Sequence, residues 1–184
     1  MIRTVFALTI IAMMVPAPHA FPQSASRPRE NLMHVQNSFD LVVHASYAET
    51  APLFGPEGER AWAGKHWDPQ FVHPLPARDV AGAVFTIRHG PYSAVWVTTQ
   101  FDLEARHIQY AYFLQNLMVT TIDVRFKPID PSTTGVSVVY TRTAVTPEGN
   151  EHVTAMSEGD KDSGKDWQDA LDKYLASHNS ATRP

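Results

Sequence analysis

Between residues 80 and 145 the chain passes through five successive stretches of alternating apolar and polar residues, and no link between them is long enough for a crossover. Parallel neighbours need a connection of a dozen or more residues, so links this short dictate antiparallel strands. The stretches are 80–89, 92–102, 106–115, 117–127 and 135–145, with Gly90-Pro91 and Asp130-Pro131-Ser132 supplying turn residues between them. In the third, Ile108, Tyr110, Tyr112 and Leu114 share one face; in the fourth, Met118, Ile122, Val124 and Phe126 lie opposite Asp123, Arg125 and Lys127. Their β-branched and aromatic content suits a pleated, half-buried surface.

Flanking segments complete the pattern. Val35, Asn37, Phe39, Leu41 and Val43 alternate as an earlier strand. Ser46 and Glu49 have capping-box spacing, which starts a short helix that Pro52 limits. Pro56 suits the first turn of a second short helix, with Glu57 and Glu59 at its positive end and Gly64 closing it. Asp68-Pro69 opens a turn, and Pro74 and Pro76 keep the chain extended to about Arg78. Near the end, Trp167, Ala170, Leu171, Tyr174 and Leu175 form one apolar helical stripe, with Ser163 and Asp166 as its cap. Gly159 and Gly164 would each cost about 1 kcal/mol inside a helix, so a helical segment over 150–158 is expected to be kinked or separate. The sheet face and the helix stripe must bury each other, because neither is stable alone. The expectation is one α+β domain over 34–178, a six-stranded twisted sheet curving round one long helix, with a disordered tail at 179–184.

The first twenty residues read differently. Arg3 precedes an apolar run over 5–15, and Pro16, Ala17, Pro18, His19 and Ala20 follow. This is the pattern of a secretory signal peptide, with cleavage expected after Ala20; an uncleaved membrane anchor is the alternative, although the run is shorter than the roughly twenty residues a bilayer requires. Residues 21–33 read as a flexible lead. Cleavage would remove Arg3 and no acid, taking the formal charge from −4 to about −5. With no basic stripe, nucleic acid is not an expected partner. The chain has no cysteine, which rules out disulfides, thiolate nucleophiles and zinc–sulfur sites, and fits a periplasmic or secreted bacterial protein with no stable membrane insertion after cleavage.

Particular residues carry a family resemblance. Pro52-Leu53-Phe54-Gly55-Pro56 leads into Gly58-Glu59-Arg60-x-Trp62 and Trp67-Asp68-Pro69; Trp96, Phe101-Asp102, Thr141-x-Thr143 and Gly149-Asn150 follow. Over about residues 35–176 the chain resembles the START-like superfamily, the SRPBCC proteins, which include the polyketide cyclase/dehydrase and lipid-transport group with its Bet v 1-like helix-grip fold. The resemblance implies a curved antiparallel sheet of six to seven strands, two short helices after the first strand and a long C-terminal helix across the mouth of a cup. It implies a small hydrophobic partner and no cofactor. No catalytic set is carried over from the cyclases, and fold alone does not fix function.

On that reading the cavity is lined by Trp62, Trp67, Phe85, Trp96, Tyr110, Tyr112, Ile122, Val124, Tyr140, Trp167 and Leu171. Aromatic walls with a few hydroxyl or N–H handles are usual for ligand pockets. Two readings stay open for Trp62 and Trp67: a rim that touches ligand, or a plug over the end of the sheet. Arg60 is expected to pair with Glu57 or Glu59 and hold the turn. His66, His73, His89 and His107 show no short metal-ligand spacing and read as scattered surface residues. Asp102 and Glu104 could serve as acid and base or simply solvate a turn. Three functions follow: binding of a small hydrophobic or amphipathic molecule, a cyclase/dehydratase-like enzyme with a titratable group in the cavity, or a protein-interaction module.

Overall fold

The structure is a computed structural model and describes residues 31–181. The expected signal peptide, most of the flexible lead and the last three residues of the tail lie outside the described residues.

Strands β1 (His34–Val43), β2 (Gln70–His73), β3 (Val84–His89), β4 (Tyr92–Asp102), β5 (His107–Leu114), β6 (Met118–Asp130) and β7 (Thr133–Ala144) form one antiparallel sheet in the order β1-β7-β6-β5-β4-β3-β2. Helices α1 (Tyr47–Thr50) and α2 (Pro56–Glu59), joined by a 3₁₀ turn over Ala51–Phe54, follow β1, and α3 (Pro147–Ala181) ends the chain. From β2 onward each strand pairs with the next, but β1 pairs with β7. The segment between β1 and β2 must therefore travel from one edge of the sheet to the other. In a flat sheet six gaps of about 4.8 Å would separate those edges by about 29 Å; curvature shortens the journey, and irregularities at Thr98/Gln100 in β4 and Pro128/Asp130 in β6 fall where bulges bend strands.

The expected capping box is present at α1: Glu49 N–H donates to the Ser46 hydroxyl while Ser46 N–H donates to the Glu49 carboxylate at 3.0 Å. Three expectations need correction. The first of the five central strands begins at Val84 rather than residue 80, because residues 80–83 form a turn in which Ala83 N–H donates to Val80 O. The extended stretch before Pro74 is itself a strand, β2, on the open edge beside β3, a place where the nearby prolines cost no ladder bonds. And α3 is one continuous helix of 35 residues, reaching into the segment expected to fray. Pro147 opens it after Thr146, whose hydroxyl accepts from Gly149 N–H at 3.2 Å.

The continuity of α3 has a packing cause. Val153, Met156, Asp160, Gly164, Trp167 and Leu171 recur at helical spacing and turn toward the sheet. Gly164 lets the helix touch β1, since a Cβ there would lie 3.1 Å from Phe39. Asp160 breaks the apolar pattern yet is only 6% exposed. It accepts from Arg142 Nε at 3.0 Å and from Arg142 Nη2, and Asn37 Nδ2 donates to it at 3.1 Å. Arg142 Nη1 in turn donates to the Tyr112 hydroxyl at 2.6 Å and to Thr120 at 3.3 Å. One guanidinium thus joins α3 to β7, β5 and β6. Most of the remaining core is apolar, with Phe54, Phe85, Ile108, Val124 and Val138 fully enclosed.

Removing one partner of a buried ion pair leaves the other charge uncompensated, at a cost of roughly 3–5 kcal/mol. Urea denaturation should show that loss for Arg142→Met, while the double variant Arg142→Met/Asp160→Leu should regain most of it. A single variant as stable as wild type would refute the role of the pair as the clamp on α3.

Candidate functional site

The stretch Gly55 to Pro69 is a turn tied at every corner. Asp79 caps α2, accepting from Glu57 N–H at 2.8 Å and from Gly58 N–H at 3.3 Å. Both glycines are sterically required: a Cβ on Gly55 would lie 2.3 Å from the Asp79 carboxylate, and one on Gly58 would lie 1.9 Å from Pro52 O. The Trp62 indole N–H donates to Leu53 O at 2.7 Å and that of Trp67 to Pro56 O at 2.9 Å. Arg60 bonds Glu57 and Asp68, each at 2.8 Å, and also donates to Pro69 O. Arg60 and Glu57 therefore hold the turn.

Glu59 faces the other way. It is 5% exposed, forms no side-chain hydrogen bond among the described residues, and lines a pocket of about 290 Å³ between the sheet and α3. Burial, with the charge of Asp79 second, pushes its carboxyl well above the usual carboxylate range. Of the eleven expected cavity residues, Trp67, Trp96, Tyr112, Ile122, Tyr140 and Trp167 line this pocket. Phe85, Tyr110, Val124, Leu171 and Trp62 pack behind it instead. Phe85 stacks on Trp96 with centroids 5.8 Å apart, the Tyr110 hydroxyl donates to Phe54 O, and Trp62 meets Trp167 edge-on at 5.3 Å. The two readings of the tryptophans divide: Trp62 plugs, while Trp67 both ties the turn and borders the pocket.

His89 is not a scattered surface residue. Its ring stacks with Tyr112 at 5.6 Å and with Trp96 at 6.2 Å, and those two stack on each other at 4.3 Å. His89 Nε2 and Trp96 Nε1 are buried without a hydrogen-bond partner among the described residues. Burial first, and the Arg142 charge second, push the His89 imidazole down, so it is neutral at physiological pH. Asp102 and Glu104 are exposed on the β4–β5 turn, where Asp102 accepts from Ala105 N–H at 2.8 Å; they solvate a turn rather than form an acid–base pair. Among the described residues no group of three His, Asp or Glu side chains is arranged to hold a metal.

Sequence reasoning missed Glu59, His89 and Arg142. Two had a signal. Residues 85, 87 and 89 share one strand phase, as do 136, 138, 140 and 142, so His89 and Arg142 stand at positions the alternation turns inward. Glu59 had none, because in a single turn of helix its acidic neighbour Glu57 is indistinguishable from it.

A curved seven-stranded antiparallel sheet, short helices after its first strand and a long C-terminal helix closing a pocket together define the Bet v 1-like helix-grip fold. Solved structures agree. The chain resembles norcoclaurine synthase from Thalictrum flavum, solved in complex with dopamine and hydroxybenzaldehyde, at TM-score 0.59 and 14% identity over 80% of this chain and 89% of that one. It resembles Ara h 8.0201 at TM-score 0.54 and 12% identity, covering 79% and 99%, and XoxI from Bacillus cereus at 0.56 and 15%, covering 74% and 94%. No family model and no curated protein sequence matches the chain.

A carboxyl whose folded pKa is raised contributes stability that is complete below its unfolded pKa, near 4.3, and is lost as pH rises through the folded value. Glu59→Gln removes that loss. The stability of the variant relative to wild type should therefore grow between pH 4 and pH 7, by at most about 1.4 kcal/mol per pH unit. A difference that stays flat with pH would mean that Glu59 titrates normally.

Proposed function

We propose that this chain is an exported binding protein for a small amphipathic molecule, held between the sheet and α3. The observation that carries the reading is the pocket of about 290 Å³ walled by Trp67, Trp96, Tyr112, Tyr140 and Trp167, with a carboxyl inside that has no partner among the described residues. Aromatic walls reward burial of apolar surface at roughly 25 cal/mol per Å², while a few polar groups fix orientation. That a protein of the same fold holds small aromatic molecules agrees with this. Export rests on the charged start and short apolar run of the first twenty residues.

A second reading, an enzyme of the cyclase/dehydratase kind, has a specific observation in its favour. It requires a titratable group in the cavity, and Glu59 and His89 both line it. General acid–base catalysis needs a group whose pKa is moved toward the working pH; burial moves Glu59 that way, while it pushes His89 down and leaves its imidazole a neutral proton acceptor. The two readings part on fate: a carried ligand leaves unchanged, a substrate does not.

Native mass spectrometry of protein purified gently from its host should show a bound small molecule that is released intact on denaturation. Met156 borders the pocket from α3 and is half-buried. Met156→Trp fills the space and should abolish the bound mass while leaving the melting temperature within a few degrees, as volume changes in a cavity cost less than those in a packed core. Retention of the ligand by a folded Met156→Trp variant would place its site elsewhere.

A further inference from the structure

The charges around the pocket are not balanced evenly. Arg142, the inner cation, is already matched by Asp160 through two hydrogen bonds, and its remaining donors meet Tyr112 and Thr120. Arg88 and His66 border the pocket but are exposed, and His89 is neutral. Arg60 is engaged by Glu57 and Asp68 on the far side of the turn. Asp79 lies close enough behind Glu59 to act on it electrostatically and spends its oxygens on the α2 backbone. Glu59 is thus the pocket's one carboxyl with neither a cation nor a hydrogen-bond donor among the described residues. Around it stand the indoles of Trp67, Trp96 and Trp167 and the ring of Tyr140. Aromatic faces carry negative potential and attract cations, as Arg142 already shows by lying 4.7 Å over the Tyr140 ring.

We infer that the ligand of this pocket is an amine whose ammonium group docks on Glu59 while its apolar body lies among the tryptophans. The inference rests on the pocket being a binding site. An ammonium group brings the donors Glu59 lacks and the opposite charge that its buried carboxyl is missing, so the two form an ion pair inside the pocket. A buried carboxyl with no partner costs stability in the empty protein; an arriving ammonium removes that cost, and a neutral alcohol of the same shape does so only in part.

The test compares phenylbutylamine with phenylbutanol by titration calorimetry at pH 7.5, on wild type and Glu59→Gln. The expected result is amine binding at least tenfold tighter than alcohol binding in wild type. Glu59→Gln should erase that advantage and leave the alcohol within twofold, which also reports an intact pocket. Equal binding, or a preference for the alcohol, in wild type would overturn the amine and leave the pocket standing. An amine preference that survives Glu59→Gln would overturn the assignment to Glu59. Binding of neither compound would bring down the pocket reading and the inference together.

Discussion

The Arg142–Asp160 pair is the constraint around which the rest is arranged. Burial is the largest influence and disfavours the charge on Arg142, but the hydrogen bonds to Asp160 and the electrostatic pull of Tyr112, Asp160 and Tyr140 together hold the guanidinium pKa above its ordinary value. A buried pair of this kind returns in attraction about what desolvation takes, so its contribution is positional. It sets the depth at which α3 lies on the sheet, and through Asn37 and Tyr112 it fixes β1 and β5 to the same point. An apolar seam would tolerate sliding of a helix by one turn; a fork bonded on two sides does not.

That fixed helix makes the small pocket possible. Trp167 packs edge-on against Phe39 at 5.3 Å and against Trp62 at the same distance, so the wall facing the pocket is held by neighbours on β1 and in the turn after α2. The density of costly residues between Gly55 and Pro69 has the same explanation. Two indole N–H groups and an aspartate cap are spent on backbone atoms and a guanidinium on two carboxylates and a carbonyl, and the result is a rigid turn that carries one side chain, Glu59, into the interior. Structure and site use the same fifteen residues, with the two purposes separated by the direction in which each side chain leaves the helix.

How far the sequence could be read depended on period. Alternation over β4 to β7 placed Tyr110, Tyr112, Ile122, Val124 and Tyr140 on the inner face, because a period of two leaves only one other choice. The capping box at Ser46 and the stripe from Trp167 were legible for the same reason. The first half of α3 was not, since Asp160 and Gly164 stand where apolar residues would have marked the face, and their fitness depends on Arg142 and Phe39, both distant in sequence. Strand β2 was hidden by its shortness and by the prolines beside it. Which inward aromatics border empty space, as Trp67 does, and which merely pack, as Trp62 does, is decided by three-dimensional filling that no one-dimensional pattern encodes.

The pairing of β1 with β7 also governs how the molecule can assemble. His34 meets Thr143 at a sequence separation of 109, and Asn37 waits for Asp160 at a separation of 123. Such contacts form only after long loops have closed, which slows folding relative to helical proteins of similar size. The meander from β3 to β7 can build by local hairpins, but the first strand has no neighbour until nearly the whole chain exists. Until then β7 presents an unpaired edge, so the interval before β1 docks is when the chain is most exposed to association with its own copies.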